Sequence, residues 1–464
     1  MNYDFLIIGG GSAGYAAART AISLGLKTCV VDGAEELGGL CILRGCMPSK
    51  TLLESASRFA TMRRAEEFGL RAGALEVRGR EILARKRTLI GEFAAYRQGQ
   101  LQSGKFQLVR GQAQFTDANT VEVKLRDGGT RRISARSFLL ATGSVVSEAP
   151  LRELNDIGCW TTDDVLDSGE VPESVIVLGG GATAVEFATY YSGLGREVTV
   201  IQRSSQLLTG TDPDLAAALA HAMRNHGVHV FTGTQIVGAE RADGKSRITF
   251  EHQGKRITAE ASQVLHALGR SPNVGGLGLD AADVTIARGR PEARATQQTS
   301  QPHIFAAGDV SGPFEIVHIA IQQGEMAARN AARLLNGSAE PMEESDYRLK
   351  LFAVFSDPEV AVVGCGEIEL RAADVPFRMA SHPFNDHGKS MCMGETDGFV
   401  KLMVAAEGGE ILGGACVGPH AAELIHEIAV AMHFRATAAQ LAAIPHYHPT
   451  LSEIWTYPAE ELAG

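Results

Sequence analysis

Phe5-Leu-Ile-Ile-Gly-Gly-Gly-Ser-Ala-Gly14 reads as a buried strand, a glycine turn and the start of a helix. Ala16 to Leu24 continues that helix and Lys27 to Asp32 is the next strand. Val175-Ile-Val-Leu-Gly-Gly-Gly-Ala-Thr-Ala184 repeats the design, with a helix through Tyr191 and a strand from Glu197 to Gln202. Gly9 to Asp32 and Gly179 to Gln202 both span 23 positions. One glycine fingerprint is weak, because a sharp turn needs no ligand; two in matched strand–turn–helix–strand context make an empty turn a poor account. A side chain at these glycines would block the backbone from a pyrophosphate, which amides at the helix N-terminus would hold. The repeat implies two dinucleotides, or one dinucleotide and a decayed copy.

Outward from these units, Leu52 to Gly69 and Glu81 to Gln102 read as helices. Lys105 to Phe115 and Thr120 to Leu125 read as strands leading to Ser137-Phe-Leu-Leu-Ala-Thr-Gly143. Lys255 to Leu268 returns by strands into Ala267-Leu-Gly-Arg-Ser-Pro-Asn273, and His303 to Val310 is a further buried strand. After Glu340-Pro341 come short strands (Leu351–Phe355, Phe399–Val404, Ile411–Val417) and helices (Ala421–Phe434, Ala438–Ile444), a separate α+β domain.

The 464 residues carry a formal charge of −11, with 45% hydrophobic and 21% charged residues, which is a globular composition. The acidic balance argues against nucleic-acid or anionic-membrane partners. No run approaches the roughly 20 apolar residues of a membrane span. Met-Asn-Tyr-Asp runs straight into Phe5, so no leader peptide is expected. Seven cysteines, two close together and five scattered, suit a reducing cytoplasm with one reactive pair.

That pair lies in Gly38-Gly-Leu-Cys-Ile-Leu-Arg-Gly-Cys-Met-Pro-Ser-Lys50, where Cys41 and Cys46 open an expected helix. A helix N-terminus favours a thiolate, and four intervening residues leave enough chain for a redox disulfide. Two buried free cysteines or half a metal site are the alternatives, though no further Cys or His ligand lies nearby.

With these signatures in order along the chain, the sequence resembles the class I pyridine nucleotide–disulfide oxidoreductases. That family includes dihydrolipoamide dehydrogenase, glutathione reductase and mercuric reductase. The resemblance implies an α/β fold with two Rossmann-like domains and a C-terminal α+β dimerisation domain. FAD would occupy 1–150 and 271–340, NAD(P) 151–270, and the interface domain 341–464. FAD would be held by Gly9, Gly11, Ser12, Ala13, Gly14, Asp32, Gly39, Ala141, Thr142, Gly143, Gly308 and Asp309. NAD(P) would meet Gly179, Gly181, Ala184, Gln202 and Arg203, with Gly269 and Arg270 among the cofactor contacts. Cys41 would be the interchange cysteine and Cys46 the one beneath the flavin, in charge transfer with it. Lys50 would lie beside the flavin N5 and pair with Glu186. Leu40 departs from the Thr the family usually places there.

His446-Tyr-His-Pro-Thr-Leu-Ser-Glu453 supplies an imidazole and a carboxylate. Dithiol exchange requires a group that trades protons near neutrality, which a carboxylate-oriented imidazole does. By the resemblance His448 is the acid–base and Glu453 its orienter, both contributed across the interface of a homodimer with composite sites. His446 carries no family role and is expected to be packed or on the surface.

An NAD enzyme normally has a carboxylate where Gln202 stands. Gln202 with Arg203, Ser204 and Ser205 leans towards NADP(H) over NAD(H), as does Ala184 in place of a third glycine. The segments Glu315–His318, Gln323–Gly324, Met393–Lys401 and His446–Glu453 look most like dihydrolipoamide dehydrogenases, so the favoured substrate is a lipoyl dithiol, with a lipoyl-carrying protein as a candidate partner. An NADPH-driven reductase of a small disulfide or a metal ion is the second reading, and a flavin redox sensor the third.

Overall fold

Parallel pairing of Tyr3–Ile8 with Thr28–Asp32 on one side and Thr130–Leu140 on the other begins the first sheet of the computed structural model. The structure describes residues 2–464, which divide into two units. The first holds 2–49, 84–147 and 270–346. Gln107–Asp117 and Ile304–Ala306 extend its parallel sheet at either edge. Phe5, Leu6 and Ile7 are fully buried, as a parallel strand covered on both faces requires. Ala13, Ala17 and Ala21 pack with Ala327, Ala328 and Ala331, so the Ser12–Ser23 and Val317–Leu335 helices cover one face with small side chains. Thr120–Leu125 pairs antiparallel with the outer parts of Gln107–Asp117 and Thr130–Leu140.

The glycine turn is tight enough to exclude any side chain. A Cβ on Gly14 would stand 1.8 Å from the Gly9 carbonyl oxygen. Gly9 itself has φ +107°, a conformation other residues avoid, and a Cβ there would stand 2.2 Å from the Ala141 oxygen.

The second unit holds 50–83, 148–269 and 347–464. Its parallel sheet runs Gln263–His266, Ser174–Leu178, Glu197–Ile201, His229–Phe231, with the Ala182–Gly193 helix after the second glycine turn. Thr234–Ala242, Lys245–His252 and Lys255–Ala261 form an antiparallel meander. A five-stranded antiparallel sheet follows in the order Leu351–Val354, Glu359–Gly364, Ile411–Gly418, Phe399–Ala405, Phe377–Pro383. Lys401, on Phe399–Ala405, is buried with its Nζ donating to Asp212 (2.9 Å), Asp214 (2.8 and 3.0 Å) and Glu367 (2.9 Å).

Several elements differ from the sequence expectation. The cysteines do not share one helix: a short turn, Leu40–Leu43, ends at Arg44, and a new helix, Cys46–Arg63, starts on the second cysteine. That helix begins six residues before the expected Leu52, because Pro48 lies in its first turn, where its missing N–H breaks no bond. The strand expected through Val310 stops at Ala306, and Gly308 at φ +79° turns the chain. The Val317–Leu335 and Pro213–Asn225 helices lie outside the elements expected from sequence. So does the meander hairpin, whose Asp243-Gly244 turn, both residues at positive φ, is a recognisable signal. Residues 50–83 cluster with the second unit, and 148–269 and 347–464 share that unit.

Candidate active site

Cys46 is the first residue of an 18-residue helix, and Cys41 lies in the Leu40–Leu43 turn just before it. Aligned peptide dipoles place positive potential at the Cys46 sulfur and favour its thiolate. Gly39 caps the short turn. Arg97, on the Gly79–Leu101 helix, lays its guanidinium over the Tyr15 ring at 4.2 Å. Burial lowers the Arg97 pKa, while the nearby Tyr15 and Cys41 act the other way.

Lys50 follows one turn after Cys46. Its Nζ donates to both oxygens of Glu186, at 2.8 and 2.9 Å, from above the Phe355 ring at 4.6 Å. Glu186 is buried on the Ala182–Gly193 helix and also accepts the Phe355 N–H at 3.1 Å. The ammonium is therefore held by a carboxylate that is itself fixed.

The first glycine turn fits a dinucleotide. Gly11 caps the Ser12–Ser23 helix without a side-chain hydrogen bond, leaving its first-turn amides to an anion. Asp32 accepts from Gly10 N (2.8 Å) and Ala34 N (2.9 Å), which fixes the carboxylate at the end of its strand. Thr142 Oγ1 donates to the Asn273 oxygen at 2.7 Å, and Asn273 N donates to Gly143 O at 2.9 Å. Arg270 donates to Ser144 Oγ and O, each at 2.8 Å, and Ser144 Oγ donates to Asp309 at 2.7 Å. Buried Gln323 accepts from Gly308 N (2.7 Å) and donates to Gly312 O (2.9 Å). Ser144 and Gln323, which the sequence reading gave no role, thus hold Asp309 and Gly308 in place.

The second turn is built alike, with Gly181 capping its helix without a side-chain bond and Ala184 buried in that helix. Its strand end differs. Gln202 points into the following loop, with Nε2 3.4 Å from Gln206 O and 3.5 Å from Thr209 Oγ1. Arg203 is exposed and pairs with no carboxylate among the described residues.

His448 Nδ1–H donates to both Glu453 oxygens, at 3.0 and 3.1 Å. The carboxylate side chain is 10% exposed and the imidazole 79% exposed, so an imidazole fixed at Nδ1 presents its Nε2 to its surroundings. His446 is engaged elsewhere: Nδ1–H donates to Ile444 O at 2.9 Å and Nε2–H to Glu427 at 2.6 Å. Two acceptors call for a doubly protonated ring; burial opposes the charge, but Glu427 and the Ile444 carbonyl outweigh it and raise the His446 pKa.

Residues 3–324 match the pyridine nucleotide-disulphide oxidoreductase family, and 352–459 match the dimerisation domain of the same family. The chain belongs to the pyridine nucleotide–disulphide oxidoreductases. It is 34% identical over 462 residues to a dihydrolipoyl dehydrogenase of Geobacillus stearothermophilus, covering 99% of this chain and 96% of the relative. It is 35% identical over 470 residues to that of Thermus scotoductus, covering 99% and 97%. LpdA from Mycobacterium tuberculosis shares the fold at TM-score 0.86 and 30% identity, over 99% of each chain. The oxidoreductase is an FAD-dependent enzyme that moves electrons between a dithiol–disulfide couple and a pyridine nucleotide. Its dimerisation domain makes it a homodimer. Among the described residues no helix is long and apolar enough to cross a membrane.

Proposed function

We propose that this oxidoreductase acts on a lipoyl dithiol in the cytoplasm, with Cys41 and Cys46 as its redox couple and His448 as its acid–base. FAD is assigned to 1–150 and 271–340 and the nicotinamide to 151–270. The observation that carries the reading is His448, locked onto Glu453 yet open to solvent. Its support in kind comes from full-length relatives named dihydrolipoyl dehydrogenase. His448 of one protomer takes a proton from the first substrate thiol, and that sulfur attacks Cys41. The Cys41–Cys46 bond breaks and Cys46 leaves as thiolate. The second substrate thiol then attacks the mixed disulfide, closing the lipoyl ring and leaving its proton with Cys41. Bound FAD supplies the two-electron acceptor that links the reduced pair to the nicotinamide. Lys50, fixed by Glu186, presents a cation one helical turn from Cys46.

Steady-state rates with dihydrolipoamide and NAD⁺ or NADP⁺, set against NADH or NADPH with lipoamide or glutathione disulfide, test the substrate. Failure with lipoamide in both directions would overturn it. His448→Gln is expected to lower dihydrolipoamide turnover about a hundredfold, with electron transfer from reduced nicotinamide to ferricyanide retained.

NADP(H) is favoured at the second site because Gln202 brings no negative charge to a 2′-phosphate and Arg203 is unclaimed. The double variant Gln202→Glu, Arg203→Ala is expected to move the ratio of kcat/KM values towards NAD(H) by about tenfold or more, from the lost charge-assisted bond and the added repulsion. An unchanged ratio would reject this account of the pocket.

A further inference from the structure

A second histidine stands behind the catalytic pair. His387 is fully buried, with its Nδ1 2.8 Å from Ser390 Oγ and its Nε2 3.5 Å from Glu453 Oε1, on the carboxylate that holds His448. The Nε2 has no ordinary hydrogen bond, and a buried imidazole nitrogen without one is costly. Burial keeps the ring neutral: it lowers the His387 pKa more than Glu453 and the Thr450 backbone raise it.

A neutral ring carries one N–H, so its direction is a chemical choice. If Nδ1 held the proton, a bare Nε2 lone pair would face a carboxylate. If Ser390 donates its hydroxyl to Nδ1, the proton sits on Nε2 and points at Glu453. Only the second arrangement is attractive at both ends. It makes a row of four side chains, from Ser390 through His387 and Glu453 to the exposed His448.

We propose that His387, oriented by Ser390, is a positioning residue that shares the charge of Glu453 and so sets how strongly that carboxylate holds a proton on His448. The proposal rests on the reading of His448 as the base. Besides Glu453, His448 and the Thr450 backbone, the groups facing His387 are His382, which stacks on Tyr457 at 4.0 Å, Tyr457 itself, edge-on at 6.4 Å, and the Phe384 ring at 6.3 Å. None of these others offers the Nε2 proton a carboxylate.

The sign follows. Without the Nε2–H donor, Glu453 directs its full charge at His448 and favours the imidazolium, so the unprotonated base is reached only at higher pH. In the full-length holoenzyme, His387→Leu is expected to move the acidic limb of the dihydrolipoamide kcat/KM profile up by about half a unit. Turnover should fall about tenfold as the carboxylate loses a fixed partner. Ferricyanide reduction by reduced nicotinamide should stay at the wild-type rate. His387→Gln, which restores an N–H donor, should return the limb towards its original position, and Ser390→Ala should shift it upward by less. An unmoved limb in both His387→Leu and Ser390→Ala would overturn the proposal, as would parallel loss of the ferricyanide rate in both, which would mark a structural role. If His448→Gln instead kept full dithiol turnover, the base assignment itself would fail; with that variant impaired, unmoved His387 profiles reject the positioning role alone.

Discussion

Cys46→Ser enzyme is expected to lose dithiol turnover by about 10⁴-fold or more, a loss on the scale of removing a covalent nucleophile. Serine oxygen forms no disulfide with Cys41, so the substrate sulfur has no bond to attack and the protein offers no store for its electrons. A lone thiol at Cys41 cannot accept two electrons from a dithiol. Flow from reduced nicotinamide to ferricyanide bypasses the sulfurs and should persist. The anaerobic two-electron-reduced wild type should absorb at long wavelength, and Cys46→Ser should not. As a control, Cys392→Ser should leave every rate unchanged, since that thiol is exposed and belongs to neither the pair nor the base. Substantial lipoamide activity in Cys46→Ser would show that the sulfurs are not the redox couple.

The parts of this site that were readable in the sequence are those whose chemistry demands neighbours along the chain. Glycines packed against their own turn, two cysteines with four residues between them, and an imidazole five positions before its carboxylate all declare themselves locally. Partners delivered by tertiary pairing do not. Ser144 and Arg270 are 126 positions apart and His387 and Glu453 are separated by most of a domain, so nothing in either segment names the other. Lys50 and Glu186, 136 positions apart, were reached only through the family resemblance. Fold class followed from the doubled fingerprint, whereas the break between the cysteines did not, although Arg44-Gly45 is a pair that ordinarily ends a helix. At Gln202 the missing carboxylate was legible. The turn of its amide into the loop depends on Gln206 and Thr209 and was not.

Another such pairing, 189 positions apart between Lys401 and Asp212, supports the largest expected change in stability. Lys401 is the counter-charge for three carboxylates, and Asp212 also accepts the Glu367 and Ile368 amides at the start of the Glu367–Ala372 helix. Burial resists ionisation of Asp212 and Glu367, but the ammonium wins, helped by these amides at Asp212 and by the Arg371 guanidinium at Glu367, and both carboxyls sit below their ordinary pKa. Burial likewise resists the charge on Lys401, yet its three partners raise its pKa. In the wild type the carboxylates therefore add stability that is complete above their unfolded pKa and lost as pH falls through the lowered folded values. The lysine adds stability that is complete below its unfolded pKa and lost as pH rises through the raised one. Between about pH 5 and pH 10 this cluster contributes a level term. Lys401→Met removes the partner common to all three acids and is expected to cost about 3–5 kcal/mol at neutral pH. It should also reverse the pH response. With burial unopposed by the ammonium, the carboxyls shift upward, and the variant should regain stability as pH drops from 8 to 5 while the wild type does not. Urea midpoints across that range, read with the fluorescence of buried Trp455, distinguish the cases. A variant whose midpoint follows the wild-type pH curve at a constant offset would mean that the lysine packs there without neutralising the acids.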